Sequence, residues 1–254
     1  MTPRPYVLAE VTWKDVQTTP FEVAILPWGA VEAHNYHLPY GTDVTETDAV
    51  AIESARVAWE AGARVVVLPA IPCGVQTGQL DIDLCLNMMP STQAAVLHDL
   101  VRTIEKSSVR SFVIINGHGG NDFRQMIREL QPSTRLLLVT INWWQVLGAA
   151  DYFTEPGDHA GELETSAMLH VAPDLVRPLS TAGDGAERRP RIAGLRERWA
   201  WTPRPWTSVS TDTGIGNPRA ATPEKGARFF GAVTEKIGGF LVDLAQADTN
   251  DMYE

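Results

Sequence analysis

SFVIINGHGGN (111–121) is a short, wholly apolar run that passes directly into a glycine-rich loop. A run without polar alternation fits a strand buried on both faces. DFRQMIREL (122–130), which follows, has the spacing of a helix. The same alternation extends in both directions along the chain. FEVAILPWG (21–29), ARVVVLPAI (63–71) and RLLLVTINWW (135–144) read as further buried strands. DAVAIESARVAWEAG (48–62) carries Ala49, Ile52, Ala55 and Trp59 at helical spacing and stops at Gly62, a fitting terminal residue. STQAAVLHDLVRTIEKS (91–107) opens on a Ser/Thr cap and reads as a helix. Apolar strands separated by helices predict an α/β fold around a mostly parallel sheet covered on both faces. In such sheets ligands bind beyond the carboxyl ends of the strands, so the polar residues that follow the strands are the candidates for function.

The bulk properties narrow the field. With 254 residues, 44% of them hydrophobic and 20% charged, the chain has enough apolar material for one α/β domain spanning 1–254. The formal net charge is −10 and no block of Lys or Arg occurs, which argues against nucleic-acid and anionic-membrane partners. No apolar run approaches the ~20 residues needed to span a bilayer. The opening MTPRPYVLAEVTWKD lacks the apolar core of a secretory signal. The two cysteines, Cys73 and Cys85, form no C-x-x-C pair, which argues against a disulfide framework and cysteine ligation. A cytoplasmic protein is expected. Residues 180–220, rich in Pro, Gly, Arg and Trp, read as an irregular excursion, the kind of segment that serves as a lid or an interface arm. A closing helix is predicted from near Pro223.

Four of the six histidines fall in three polar clusters. In GAVEAHNYHLPYGTD (29–43), Glu32 and His34 are two apart and point the same way in extended chain. With Asp43 they form a plausible metal set, although a polar loop capping the next helix fits them equally well. NGHGGN (116–121) presents His118 at a strand's carboxyl end. It lacks the Lys and Ser/Thr of a phosphate-binding P-loop, so nucleotide binding is the weaker reading. In DHAGELETS (158–166), a helix beginning at Asp158 would put His159 and Glu162 on one face and turn Glu164 away, leaving Glu164 a structural role.

Together the three clusters resemble the creatininase family. The strand followed by Gly-x-x-Glu-x-His, His-Leu-Pro and Asp stands here as GAVEAHNYHLPYGTD, the Asn-Gly-His loop as NGHGGN, and the His-Ala-Gly…Glu-Thr-Ser segment as DHAGELETS. The resemblance implies a three-layer α/β/α sandwich, a dinuclear metal centre, hydrolysis of a C–N amide bond and assembly into homohexamers. It makes Glu32 and His118 ligands of one ion, His34 a ligand of the other and Asp43 the bridge. Creatininases proper place a Glu where this chain has Gly120. A branch of the family that shares the glycines implies Glu162 as the replacement ligand. Relatives also often carry Phe-Pro-Gly-Thr within the stretch equivalent to 72–92, which this chain lacks.

These readings define an expected enzyme. Two divalent ions, Zn²⁺ first with Mn²⁺ or Fe²⁺ as alternatives, would activate water against a small amide substrate. His159 is the expected proton shuttle, oriented by Asp158. Trp143, Trp144 and Gly119 are expected at the substrate, and His37 beside a ligand. His98 and His170 are expected to be structural. Trp199, Trp201 and Trp206 in the excursion would cover a pocket or meet a partner. The rivals are a formamide hydrolase or a peptide-trimming enzyme on the same fold, and a non-catalytic small-molecule-binding protein.

Overall fold

The structure is a computed structural model that describes residues 2–249 and 251–253. Four parallel strands form its sheet: β1 (Val23–Trp28), β2 (Val65–Val67), β3 (Ser111–Asn116) and β4 (Leu137–Asn142), in the order β2-β1-β3-β4. Eight α-helices accompany them among the described residues. They are α1 (Trp13–Thr18), α2 (Thr42–Glu60), α3 (Pro90–Ile104), α4 (Arg124–Leu130), α5 (Glu162–Val171), α6 (Ala193–Arg196), α7 (Trp206–Val209) and α8 (Pro223–Gln246).

Strands β1, β2 and β3 are buried on both faces, which is why they read as unbroken apolar runs, whereas the edge strand β4, expected to be buried as well, is mostly half-buried. Successive side chains divide between two cores. Val23, Ile25, Val65, Val67, Val113 and Ile115 pack with residues of α2, α5 and α8. Ala24, Leu26, Trp28, Val66, Phe112 and Ile114 pack with Leu97 and Val101 of α3 and with Phe123 at the start of α4. The result is an α/β/α sandwich. Helix α8 starts at Pro223, as the sequence predicts, with the Thr222 side chain accepting from the Lys225 amide at 3.3 Å.

Two features of this frame place the site. The chain steps from β1 outward to β2, then crosses back to β3 on the other side of β1. The strand order therefore reverses between β1 and β3, where an open α/β sheet leaves a crevice at the carboxyl ends. Trp28 and Asn116 are register partners, and both strands stop there. The segments carrying Glu32, His34 and His118 consequently leave the sheet side by side.

Several helix starts differ from the sequence reading: α3 opens at Pro90 with no side-chain cap bond in place of the expected Ser/Thr cap, α4 opens at Arg124 rather than Asp122, and two further shifts move site residues. Helix α2 begins at Thr42 rather than near residue 48, so Asp43 sits in its first turn, where a carboxylate suits the helix dipole. Helix α5 begins at Glu162 rather than Asp158. His159 instead forms an isolated antiparallel bridge with Ile215, and Ala160 has a φ of 51°, which breaks any helix before it. Among the described residues, no helix is long and apolar enough to cross a membrane.

Candidate metal centre

Three imidazoles and three carboxylates converge in the crevice beyond β1 and β3. Glu32, His34, Asp43, His118 and His159 are all buried. Each histidine ring has one nitrogen against a backbone carbonyl: His34 Nδ1 lies 3.1 Å from Glu32 O, His118 Nε2 2.9 Å from Val75 O, and His159 Nε2 2.8 Å from Ala33 O. A carbonyl only accepts, so those nitrogens carry the hydrogen. The opposite nitrogens then face carboxylates. His34 Nε2 is 2.8 Å from Asp43 Oδ1, and His118 Nδ1 is 2.9 Å from Glu32 Oε1 and 3.0 Å from Asp43 Oδ2. His159 Nδ1 is 3.7 Å from Glu32 Oε1.

Lone pairs aimed at carboxylates need a positive charge between them, either a proton or a metal ion. At His34 and His118 in the protein without metal, protons fill that role. Burial alone would lower the pKa of His34, but Asp43, Glu32 and Glu164 outweigh it and push it up to about 10. His118 is likewise raised well above the ordinary imidazole value, burial being overcome by Glu32 and Asp43. Asp43, despite its burial, is held below the usual carboxylate range by His34 and His118. Within the cluster, Glu32, Asp43 and His118 offer donor atoms within 4.8 Å of one another, and so do His34, Asp43 and Glu164. Asp43 turns one oxygen to each set. Hard oxygens mixed with imidazoles, each ring fixed by a second partner, make a donor set that fits divalent ions such as zinc or manganese.

Glu162 does not join this set, contrary to the sequence expectation. Its carboxylate is fully buried but faces the other way. Oε1 pairs with Lys225 Nζ at 2.5 Å, and Oε2 accepts the amides of Thr154 and Glu155 at 3.0 and 2.8 Å. Glu164, expected to be structural, is the glutamate beside His34 and Asp43, held there by the Ala160 amide. Burial raises its pKa, Asp43 adding to the effect. The reason is the helix start: with α5 beginning at Glu162, the supposed shared face of His159 and Glu162 does not exist. Gly120, where the resemblance places a glutamate, has no room for one. A Cβ there would stand 2.0 Å from Val75 O and 2.5 Å from His118 Nε2, so any side chain would displace the carbonyl that orients His118.

The other expected site residues separate in the same way. Trp144 and Gly119 line the cavity above the cluster, whereas Trp143 is core, 1% exposed and packed on Phe229. Asp158 lies on the cavity rim but is paired with Arg204 rather than with His159, so the orienting partner of His159 is the Ala33 carbonyl. His37 donates to or accepts from Thr165 Oγ1 at 2.8 Å, tying the motif loop to α5. His98 is exposed on α3, and His170 packs on Phe230.

The 180–220 excursion folds back over the cavity. Asn35, at a φ of 53°, accepts the Gly183 amide and gives its own amide to Thr213 Oγ1. Trp206 lies 4.7 Å from the His159 ring, with Arg204 stacked 4.8 Å over Trp206. Trp201 and Trp206 line the cavity, while Trp199 packs on Gly194 and is largely exposed. The sequence reading also did not single out Glu46, three residues beyond Asp43. It is buried with both oxygens unpartnered, and burial next to Glu164 and Asp43 raises its pKa well above the ordinary value.

Residues 9–241 match the family model of creatinine amidohydrolase. The chain belongs to the creatininase family. A solved structure of a Bacteroides fragilis NCTC 9343 protein, provisionally named a creatinine amidohydrolase, is 40% identical, with a TM-score of 0.92 over 98% of this chain and 99% of that one. The mycofactocin precursor peptide peptidase of Mycobacterium ulcerans (strain Agy99) is 27% identical over 222 residues, 83% of this chain and 81% of the relative. The creatinine amidohydrolase of Pseudomonas putida is 27% identical over 194 residues, 66% of this chain and 73% of the relative. Creatininase structures at 21% and 22% identity, one a manganese form and one a variant of Zn–Zn type, share the fold over 96% of this chain and 100% of theirs, with TM-scores of 0.78 and 0.77.

Proposed function

We propose that this chain is a metal-dependent amidohydrolase that cleaves a C–N amide bond of a small substrate with activated water, at a centre of two divalent ions. The observation that carries the reading is the orientation of the three imidazoles, each with its N–H on a backbone carbonyl and its lone pair toward buried carboxylates. Glu32 and His118 would hold one ion, His34 and Glu164 the other, with Asp43 between them. Such ions, when bound, lower the pKa of water towards neutrality and polarise an amide carbonyl.

The remaining steps fall to side chains of the chain itself. His159 faces the cluster through Nδ1, while its other nitrogen is fixed on Ala33 O. That leaves Nδ1 to take a proton and deliver it to the departing amine. Trp144 and Trp206 offer apolar faces to a planar amide, and Gly119, with nothing packed over it, lets the substrate approach the loop backbone. The excursion roofs the cavity and restricts water around the reacting bond. A cavity of about 480 Å³ suits a small molecule. Trimming of a peptide terminus is the second reading, favoured by the mycofactocin peptidase match. The homohexamer is carried over as part of the same proposal and is read by sedimentation.

The test is metal analysis of the purified protein followed by an amide screen with cyclic amides, formamides and short peptides. About two ions per chain and turnover of a small amide are expected. Turnover of peptides alone would replace the first reading with the second. A protein that takes up no Zn²⁺, Mn²⁺ or anaerobic Fe²⁺ would leave the non-catalytic binding protein as the better account.

A further inference from the structure

One residue of the stretch 72–92 reaches the metal cluster from behind. Gln79 lies in a single turn of 3-10 helix (Thr77–Gln79) and is fully buried. Its carboxamide Nε2 donates to Glu32 Oε2, the oxygen on the far side of the carboxylate from His118. Its Oε1 accepts from the Cys85 thiol at 3.1 Å. A carboxamide is nearly symmetric in shape, so a donor on the oxygen side is what tells its two ends apart. Cys85 supplies that donor and leaves the NH₂ end for Glu32.

The turn itself is clamped from two directions. Gln76 Nε2 donates to Val31 O at 2.8 Å, and the Leu86 amide donates to the same carbonyl at 2.9 Å, docking the stretch on the motif segment. From above, the excursion presses on Gly78, where a Cβ would stand 2.0 Å from Arg204 O. Thr207 Oγ1 is bonded to Asp81. Gln79 is therefore held by both the motif loop and the cavity roof.

We propose that Gln79 is a positioning residue of the metal centre: by occupying Glu32 Oε2 it presents Glu32 to the ion through Oε1 alone, with the Cys85 thiol setting the direction of the carboxamide. The inference rests on the metal-centre reading above. A carboxylate with one oxygen tied to a fixed donor cannot swing to a two-oxygen grip, so the donor sets both the affinity and the geometry of the ion shared with His118. Removing such an outer partner typically costs about 10–100-fold in metal affinity.

The experiment compares the full-length protein with Gln79→Met, which keeps the volume and removes the donor. Zinc affinity is measured by competition with a chromophoric chelator, the Co²⁺ form is followed by its visible absorption, and the metal-free proteins are compared in Tm. We expect Gln79→Met to bind one of its ions roughly 10–100-fold more weakly, with a changed Co²⁺ spectrum. Wild-type affinity with an unchanged spectrum would overturn the proposal, even if Tm fell, because Gln79 would then be structural only. Should Gln79→Met fail to fold, Cys85→Ala and Cys85→Ser read the same question. Alanine is expected to weaken zinc binding and shift the spectrum, whereas serine, which keeps a donor, holds both near wild type; identical behaviour of the two would overturn it. A wild-type protein that binds no zinc or cobalt would sink the metal centre and this inference together, an outcome distinct from a wild type that binds and a variant that binds equally well.

Discussion

Glu162→Gln and Glu164→Gln, two isosteric changes two residues apart, should have opposite consequences. In Glu162→Gln, a carbonyl oxygen at the Oε2 position still accepts the amides of Thr154 and Glu155, so those bonds survive. At the Oε1 position an NH₂ now faces the Lys225 ammonium, donor against donor. Breaking a buried ion pair by removing one partner costs about 3–5 kcal/mol. Lys225 is 28% exposed and keeps its bond to Ala220 O, so about 2–3 kcal/mol is the better figure here. For a chain of this length that corresponds to a fall in Tm of roughly 4–12 °C. Metal content should not change, since the carboxylate faces away from the cluster.

Glu164→Gln should do the reverse. Burial and the neighbouring Asp43 disfavour the Glu164 carboxylate when no metal is present. Neutralising it therefore should not lower the Tm of the metal-free protein. With metal supplied, a charged donor beside His34 and Asp43 is gone, and affinity should fall by more than the roughly 10–100-fold typical of losing an outer partner. The assay is metal content after dialysis against a weak chelator, paired with thermal unfolding with and without Zn²⁺. A Glu162→Gln protein that loses metal while Glu164→Gln retains it would refute the ligand assignment made from the geometry.

Three further outcomes are expected. Stripping the metal with a strong chelator should lower Tm, and restoring Zn²⁺ or Mn²⁺ should recover it, because Glu32, Asp43 and Glu164 lose the cation that balances them; an unchanged Tm across the cycle would count against a built metal centre. Burial, with His34 adding to it, lowers the pKa of His37 to about 4 against 6.5 unfolded. The unfolded chain therefore binds the extra proton first, and stability present above pH 6.5 is lost as pH falls towards 4, by at most about 3 kcal/mol; denaturant titrations across that window should show a shallower slope in His37→Gln. Gly117→Ala would place a Cβ 1.6 Å from Thr47 Oγ1 and 2.9 Å from Asp43 O, forcing the start of α2 outward. A loss of about 1–3 kcal/mol or more is expected, with reduced metal content because Asp43 moves; a variant normal in both would show that the crevice is looser than its packing implies.

The strands and a parallel sheet covered on both faces were legible from local pattern, and five of the six converging residues, Glu32, His34, Asp43, His118 and His159, were singled out, the metal-ligand roles resting on the resemblance. Phe112 to Ile115 announce burial on both faces, and Glu32, His34, Asp43 and His118 follow strand ends where a parallel sheet leaves its crevice. The residues misjudged are those whose direction depends on where a helix begins. DHAGELETS has helical composition from its first residue, but the chain spends Asp158 to Gly161 on a bridge to Ile215 and a left-handed Ala160 before α5 starts. Ile215 lies across the irregular excursion, and nothing near Asp158 in the sequence indicates that contact. A shift of four residues in the helix start exchanges the roles of Glu162 and Glu164, one turning to Lys225 and the other to His34 and Asp43. The signal that could have selected Glu164 was its place in Glu-Thr-Ser. Thr165 bonds His37 and Ser166 accepts the Thr222 amide, so the three consecutive side chains reach the metal cluster, the motif loop and the start of α8 in turn. Gln79 carried no comparable signal, since it acts from a stretch without periodicity, and Trp206 was legible only as one of three excursion aromatics expected to cover a pocket or meet a partner; both reach the site through tertiary contact. Pattern thus identifies what leaves the sheet into the crevice, and packing alone decides what closes over it.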